Sequence, residues 1–271
     1  MLEPLDAHAH LDVRAHAEPF DQSGFVLAQT FSLAEAQAAH GRTDSRICWG
    51  VGCHPRLAHA QAGFSRKVFT ELIQRTALVG EVGLDSGSRV AVADELQSFR
   101  AILDVVAEQP RLVSIHSFRA TSAVLDEFVL RPIIAPVLHW WTGRAEETRR
   151  AVRLGCYFSI HSAVARRSIF RSFVPLDRIL MESDHGQPDP PAAIPLRIGW
   201  VEHLVAQRYD VTPAGVRRQA WRNLLELVER SGTRALLPSV FAEVLTGSLG
   251  GAAAPLVDFE AEHPVRPRDP R

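Results

Sequence analysis

Residues 78–85 read Leu-Val-Gly-Glu-Val-Gly-Leu-Asp, a short apolar run that carries one carboxylate, Glu81, in its middle. An unpaired carboxylate on a buried strand costs a large desolvation free energy, and a bound metal ion removes that cost. The run is one of eight that are rich in Val, Ile and Leu, as expected of parallel strands buried on both faces. The eight runs cover residues 5–8, 25–30, 47–52, 78–84, 112–116, 133–139, 157–161 and 178–184.

The stretches between these runs are predicted to be helices, and the alternation indicates the fold class. The predicted helices cover residues 32–40, 69–76, 93–108, 121–130, 145–154, 163–173, 196–207 and 213–230. Because no run leads into a G-x-G-x-x-G turn, we expect an α/β protein with a (β/α)₈ TIM barrel rather than an open doubly wound sheet. We expect the barrel to span residues 1–245 and a flexible tail to span residues 246–271, where Gly, Ala, Pro and charged residues replace the apolar periodicity.

The composition excludes several classes of protein. Of the 30 lysine and arginine residues only Lys67 is a lysine, so the chain has no G-x-x-x-x-G-K-[ST] phosphate loop, and Lys67 lies in a polar stretch unsuited to Schiff-base chemistry. The net charge of −1 argues against a protein that coats nucleic acid by bulk electrostatics, although it allows a local basic groove.

The cysteines and the chain's hydropathy indicate a compartment. Three cysteines without a C-x-x-C pair favour neither a disulfide framework nor a thiolate zinc site. The sequence shows no signal peptide and no apolar run long enough to span a membrane. We therefore expect a cytoplasmic protein without a membrane partner.

Histidines and carboxylates cluster at the C-terminal ends of the predicted strands, where a TIM barrel places its active site. In the first run, Asp-Ala-His-Ala-His over residues 6–10, His8 and His10 are two positions apart and therefore point the same way. Each such residue, taken singly, is equally well explained as a hydrogen-bonded core histidine or a salt-bridged acid. Six of them at one barrel mouth favour a metal site: His8, His10, Glu81, His116, His139 and Asp184.

This set is larger than the three or four protein ligands that one catalytic ion needs, so it indicates two ions that share a bridging carboxylate. Many two-metal barrels use a carbamylated lysine as the bridge, but no predicted strand here carries a lysine. Glu81, in the middle of the ring, is therefore the candidate bridge. Histidine ligands suit Zn²⁺, whereas carboxylates and phosphate chemistry suit Mg²⁺ or Mn²⁺, so the metal stays open.

With these residues placed, the sequence resembles the TatD family of metal-dependent deoxyribonucleases, within the amidohydrolase-like barrels. The family's motifs occur in order from residue 6 to about residue 228. Three positions depart from its pattern: Arg119 is one place late, Thr142 replaces a serine, and Asp184 is followed by His-Gly-Gln-Pro instead of x-P. The matching stretches are DAHAHL at 6–11, GCHP at 52–55, GEVGLD at 80–85, HWWTG at 139–143 and PLDRILMESD at 175–184.

The resemblance implies a two-metal hydrolase that removes nucleotides from single-stranded DNA or from 3′ ends. It implies one ion held by His8, His10, Glu81 and Asp184, and a second held by Glu81, His116 and His139. Asp184 would orient or deprotonate the nucleophilic water, and His54 would bind the scissile phosphate or protonate the leaving oxygen. His54 is alternatively a residue that stabilises the Gly-Cys-His-Pro turn.

Arg119 and Trp140 are candidate substrate contacts, each with an open alternative. Arg119 would clamp a phosphate through two guanidinium nitrogens, or it begins the next helix as a surface residue. Trp140 directly follows a predicted ligand, so it or Trp141 would stack on a base. Alternatively, the two tryptophans fill the gap between the barrel and its helices.

Two further interpretations stay open. An amidohydrolase-like barrel also allows hydrolysis of a C–N or ester bond in a small molecule. The stretches SIHS, PVLHWWTG and MESD resemble the TatD-like member of Qat-type anti-phage cassettes, which implies a defence role with an ATPase and a QueC-like protein as partners. In that setting the chain would act on DNA or, as a subunit, on a modified protein.

Overall fold

A computed structural model of the protein describes residues 2–14, 24–186 and 198–247. The eight predicted strands all form, and every pairing between them is parallel. The first three strands form one sheet and the other five form a second, each in sequence order. The strands are β1 Leu5–His10, β2 Phe25–Gln29, β3 Ile47–Trp49, β4 Leu78–Gly83, β5 Leu112–His116, β6 Ala135–His139, β7 Tyr157–Ile160 and β8 Ile179–Met181.

The two sheets close into a barrel through backbone hydrogen bonds at both pairs of edges. At one seam Val51 pairs with Val79, and Gly80 N donates to the carbonyl oxygen of Val51 at 3.1 Å. At the other seam Asp184 N donates to the carbonyl oxygen of His8 at 3.0 Å. The (β/α)₈ barrel predicted from the alternation of runs and helices is confirmed.

Ten α-helices of the described residues surround the barrel. They are α1 Leu33–Ala39, α2 Ala58–Ala62, α3 Arg66–Leu72, α4 Val92–Glu108, α5 Thr121–Leu130, α6 Ala145–Arg153, α7 Ser168–Phe173, α8 Ile198–Tyr209, α9 Pro213–Ser231 and α10 Ser239–Gly247. Local signals set their ends: Thr212 accepts a hydrogen bond from Gly215 N ahead of Pro213, and α9 ends at Gly232, whose φ is 65°. None of the helices in the described ranges has the length and apolarity needed to cross a bilayer.

Some helices differ from the prediction. The helix expected over 163–173 begins only at Ser168, because the chain first makes a turn in which His161 Nδ1 accepts from Ala163 N. Helix α10 extends two residues past the predicted barrel boundary at 245, because Phe241 and Leu245 bury one face of it against the core. Residues 248–271 of the predicted tail lie outside the described residues.

A buried asparagine on α9 fixes the start of β8. Asn223 Nδ2 donates to the carbonyl oxygens of Leu176 and Ile179, at 2.9 and 2.7 Å. These two carbonyl groups lie where the chain enters the last strand, and a buried carbonyl without a donor is unfavourable. Asn223 therefore helps to place the strand that leads into Asp184.

Candidate metal centre

A cavity of about 540 Å³ opens at the C-terminal ends of the strands. The fold brings all six predicted ligands to it. Strand β1 contributes two histidines, β4, β5 and β6 contribute one ligand each, and the turn after β8 contributes Asp184. Five of the six line the cavity, and the sixth, His8, is fully buried beneath them. His54, from the loop after β3, also lines the cavity.

The two carboxylate oxygens of Glu81 face different pairs of predicted ligand histidines, and His54 Nε2 is a third neighbour of Oε2 at 3.2 Å. Oε1 lies 2.5 Å from His116 Nδ1 and 3.1 Å from His139 Nε2. Oε2 lies 3.1 Å from His10 Nε2 and 3.6 Å from His8 Nε2. This division matches the sequence-based expectation that Glu81 lies in the middle of the ring.

The surrounding donors fit a metal-binding site. The Nε2 atoms of His8 and His10 lie 3.2 Å apart, so two ring nitrogens converge on one point. Asp184 Oδ1 lies 3.5 Å from the first and 3.7 Å from the second. Imidazole nitrogens and carboxylate oxygens are the ligands of Zn²⁺, Mn²⁺ and related cations.

Three of the histidines are held from behind by polar side chains. His116 Nε2 lies 2.9 Å from Asp85 Oδ2, and His139 Nδ1 lies 3.4 Å from Glu182 Oε1. His8 Nδ1 lies 2.7 Å from the hydroxyl of Ser114. Contacts of this kind orient the ring of a metal-binding histidine and select the nitrogen that carries its proton.

The turn that carries Asp184 is anchored to β1. Asp6 accepts hydrogen bonds from Ser183 N at 3.0 Å and from the Ser183 hydroxyl at 2.5 Å. In addition, His10 N donates to the carbonyl oxygen of His185 at 2.7 Å. Asp184 itself has a φ of 47°, a left-handed conformation uncommon for a residue with a side chain. These bonds fix Asp184 above the two histidines of β1.

The tautomer of His54 follows from its backbone neighbour. Arg56 N donates to His54 Nδ1 at 3.2 Å, so in the neutral ring the proton is on Nε2. Nε2 lies 3.2 Å from Glu81 Oε2 and faces the cavity. His54 therefore presents a hydrogen-bond donor to the cavity, which suits contact with a phosphate better than contact with a cation.

Burial and neighbouring charges move the pKa values of the cluster in opposite directions. Burial, together with His139, holds the pKa of His8 well below its usual value, which leaves a neutral ring with a lone pair. Burial alone would raise the pKa of Glu81, but the surrounding histidines lower it well below its usual range. Burial raises the pKa of Asp184 to about 8, and the nearby carboxylate of Glu81 contributes to that rise.

The predicted substrate contacts are divided between the cavity and its surroundings. Trp140 lines the cavity, donates its backbone N–H to Glu182 Oε1 at 2.8 Å, and stacks on His161 with 3.9 Å between ring centroids. Trp141 is fully buried between the barrel and α6, where its indole N–H donates to Thr148. Arg119 is not among the lining residues, and its guanidinium lies over the ring of Phe118, which does line the cavity.

Several residues of the site were not predicted from the sequence. Asp85 and Glu182 lie within the motif stretches, and each is an acid near a strand end, a signal that could have identified them. Ser114 is two positions before His116 on the same strand, so the strand alternation puts both on one face. Arg56, which lines the cavity beside Asp85, had no such signal.

Comparison with known proteins agrees with this geometry. The sequence family described as TatD related DNase matches residues 5–229. A search of the curated proteins finds no match. Among solved structures, a TatD homologue from Escherichia coli K12 matches with a TM-score of 0.69 and 18% identity, over 82% of this chain and 96% of that one.

Two other solved structures share the fold. A TatD family hydrolase from Entamoeba histolytica matches with a TM-score of 0.65 and 12% identity, over 84% of this chain and 98% of that one. An uncharacterised amidohydrolase from Saccharomyces cerevisiae matches with a TM-score of 0.66 and 14% identity, over 84% of this chain and all 100% of that one. At these identities the structural matches establish the fold alone.

Proposed function

The chain belongs to the TatD family of metal-dependent hydrolases, and we propose that it is a deoxyribonuclease that removes nucleotides from single-stranded DNA or from 3′ ends. The observation that carries this proposal is the division of Glu81, whose two oxygens face separate pairs of predicted ligand histidines. One carboxylate between two nitrogen pairs is the arrangement expected of two ions that act on one phosphodiester.

Two divalent cations, Mg²⁺, Mn²⁺ or Zn²⁺, are the proposed cofactors. When bound, such ions stabilise the negative charge on the attacking and leaving oxygens of a phosphodiester. They would also let a chain with a net charge of −1 hold a polyanion, because the positive charge would come from the ions. One ion would be held by His8, His10, Glu81 and Asp184, and the other by Glu81, His116 and His139.

Asp184 and His54 would handle the protons of the reaction. The Asp184 side chain is 10% exposed and lines the cavity, so one of its oxygens can accept a proton from an attacking water. His54 carries its proton on Nε2, which faces the same cavity. From there the neutral ring would donate a hydrogen bond to a phosphate oxygen, whereas the doubly protonated imidazolium would pass a proton to the leaving oxygen.

Trp140 and Arg119 are the proposed contacts for the rest of the substrate. The half-buried ring of Trp140 lines the cavity beside the ligand His139, where it would stack on a base near the scissile bond. Arg119 is exposed next to the cavity-lining Phe118, so it would meet a phosphate further along the strand.

The proposal is tested with purified protein and end-labelled single-stranded DNA in the presence of Mg²⁺, Mn²⁺ or Zn²⁺ in turn. We expect release of mononucleotides from the 3′ end with at least one ion, and no release after chelation. Glu81→Ala removes the bridge between both histidine pairs and should reduce cleavage by at least about 10²-fold while the fold is retained. Undiminished cleavage by Glu81→Ala would overturn the assignment.

The same preparation tests the alternative substrate. Metal-dependent hydrolysis of a lactone, a cyclic amide or a nucleoside, with no cleavage of any DNA, would replace the deoxyribonuclease by an amidohydrolase. A cytoplasmic defence role with an ATPase and a QueC-like protein remains part of the proposal and rests on the resemblance of three sequence stretches alone. That role predicts that neighbouring genes encode an ATPase and a QueC-like protein and that the chain co-purifies with them.

A further inference from the structure

His116 is held between two carboxylates. Its Nδ1 lies 2.5 Å from Glu81 Oε1, and its Nε2 lies 2.9 Å from Asp85 Oδ2. Because a carboxylate only accepts, each of the two contacts needs a proton on the ring nitrogen when no cation is bound. A cation beside Glu81 would displace the proton of Nδ1 and use its lone pair, while Asp85 keeps the proton on Nε2. We infer that Asp85 is the positioning residue of His116, which selects the one tautomer whose Nδ1 can bind a cation beside Glu81.

The side chain of Asp85 is itself fixed in one orientation. It is buried, and its Oδ1 accepts a hydrogen bond from Gly87 N at 2.7 Å. Its backbone N–H donates to Glu95 Oε2 at 2.8 Å, and Arg56 Nε lies 3.5 Å from Oδ2. With Oδ1 engaged by the backbone, Oδ2 is the oxygen available to His116.

Glu182, the carboxylate that contacts His139, has other hydrogen-bond partners as well. Glu182 Oε1 lies 3.4 Å from His139 Nδ1, but it also accepts from Trp140 N at 2.8 Å, and Oε2 contacts the hydroxyl of Ser159. Asp85 thus makes the shorter carboxylate contact to a ligand histidine. The inference rests on the metal centre of the proposed function, but it does not depend on DNA as the substrate.

Replacement of the Asp85 carboxylate by an amide should reverse the tautomer of His116. In Asp85→Asn the amide oxygen must face Gly87 N, because a backbone N–H cannot change from donor to acceptor. The NH₂ group then faces His116 Nε2, which can become an acceptor by changing tautomer. The proton moves to Nδ1, the nitrogen that should bind the cation. In Asp85→Ala, by contrast, His116 stays free to adopt either tautomer.

The experiment is a calorimetric titration of the metal-free protein with Mn²⁺ alone, together with thermal melting without metal. For Asp85→Asn we expect Mn²⁺ affinity at one site to fall by about 10- to 100-fold, the usual effect of removing a second contact of a ligand histidine. For Asp85→Ala we expect a smaller loss of affinity but a larger fall in Tm, since every hydrogen bond of the carboxylate is lost.

The matched control is Asp44→Asn, a substitution of another buried aspartate that pairs with Arg42 and Trp49 away from the cavity. It should lower Tm and leave Mn²⁺ affinity unchanged. A purely structural role for Asp85 predicts that Asp85→Ala damages both Mn²⁺ affinity and Tm more than Asp85→Asn does. A greater loss of both quantities in Asp85→Ala than in Asp85→Asn would overturn the inference. An Asp85→Asn variant that binds Mn²⁺ as tightly as the parent protein would overturn it as well. The titration contains no DNA, so its result does not depend on whether the protein cleaves DNA.

Discussion

Two histidines of the site carry the ring proton on the same nitrogen, Nε2, but turn different nitrogens toward the centre, because their second contacts differ. His54 accepts a backbone N–H on Nδ1, so it presents a donor to the cavity. His116 donates from Nε2 to a carboxylate, so Nδ1 is the nitrogen that would use its lone pair for a cation. The same type of side chain therefore presents a hydrogen-bond donor in one place and a candidate metal-binding nitrogen in another.

This difference leads to a prediction for His54. We expect His54→Ala to lower DNA cleavage at saturating metal by about 10²- to 10⁴-fold, the usual contribution of a positioned acid or base, with Mn²⁺ affinity unchanged. Cleavage rates and calorimetric titration measure the two quantities. A diester with an activated leaving group, such as bis(p-nitrophenyl) phosphate, should be less affected because its leaving oxygen needs no proton.

A tenfold or greater loss of Mn²⁺ affinity in His54→Ala would contradict the prediction. His54, Glu81 and His116 place one donor atom each within 4.8 Å of one another, so ligation by His54 is the competing interpretation. The hydrogen bond from Arg56 N to Nδ1 places the proton of His54 on Nε2, and this favours the role of proton donor over ligation of a cation.

At this scale the sequence predicted that six side chains meet at one end of the barrel, and the structure places them there; their role as ligands stays a prediction. Each residue has another explanation when taken singly, but a barrel brings the C-terminal ends of its strands together, so histidines and acids at those ends are expected to meet. The contacts of Asp85 and Glu182 were not predicted, because they depend on distances between different strands that no spacing in the chain encodes.

At the scale of elements, the placement of β8 depends on α9. Asn223 on α9 satisfies the two carbonyl groups at which β8 begins, and the far end of β8 leads into the turn that Asp6 anchors to β1. The strand is only three residues long, so its own ladder offers few hydrogen bonds. Its position is set by side chains from other elements.

We therefore expect Asn223→Ala to lower the free energy of unfolding by about 1–3 kcal/mol, because the carbonyl oxygens of buried Ile179 and half-buried Leu176 each lose a hydrogen bond. Urea denaturation measures the change. Gln219→Ala is the control: Gln219 donates to Asn223 Oδ1 at 2.8 Å from a half-buried position, so its loss should be smaller. Equal stability of Asn223→Ala and the parent protein would show that other contacts hold the start of β8.

The sequence predicted strands and helices correctly where the spacing of apolar residues matches the face that the structure buries. Strands of continuous apolar residues are distinctive, and all of them form. Helix α2 is only five residues long, too short to show a 3.6-residue period in the sequence. Helix α10 follows a Leu-Leu-Pro stretch and is helical because its apolar face packs against the core, a tertiary effect that local pattern does not report.

At the scale of the whole molecule, the candidate metal centre draws its side chains from strands of both sheets. Strand β1 belongs to the three-stranded sheet, whereas β4, β5 and β6 belong to the five-stranded sheet. A bound cation would therefore link the two sheets, and anything that binds only the folded state stabilises it. The isolated sequence predicted the barrel but not this division into two sheets, because strand pairing is a property of the assembled sheet.

We expect Mn²⁺ at about 100 times its dissociation constant to raise the free energy of unfolding by about 2.7 kcal/mol and Tm by roughly 5–10 °C. Thermal melting with and without Mn²⁺, followed by chelation, measures the shift. Glu81→Ala should show a much smaller shift. An identical Tm in the presence and absence of the ion would contradict a metal site that spans the sheets.

The backbone of Glu81 lies on the seam between the sheets. Its N–H donates to Thr30 and its carbonyl oxygen accepts from Cys53 N, at 3.2 and 3.0 Å. These bonds belong to the peptide groups, so an alanine at this position can keep them while the carboxylate is lost. A chain inactivated in this way would retain His54 and Trp140 at the cavity wall. Because the ions would supply the positive charge that meets a polyanion, this folded variant would measure how much substrate binding the cavity wall provides by itself.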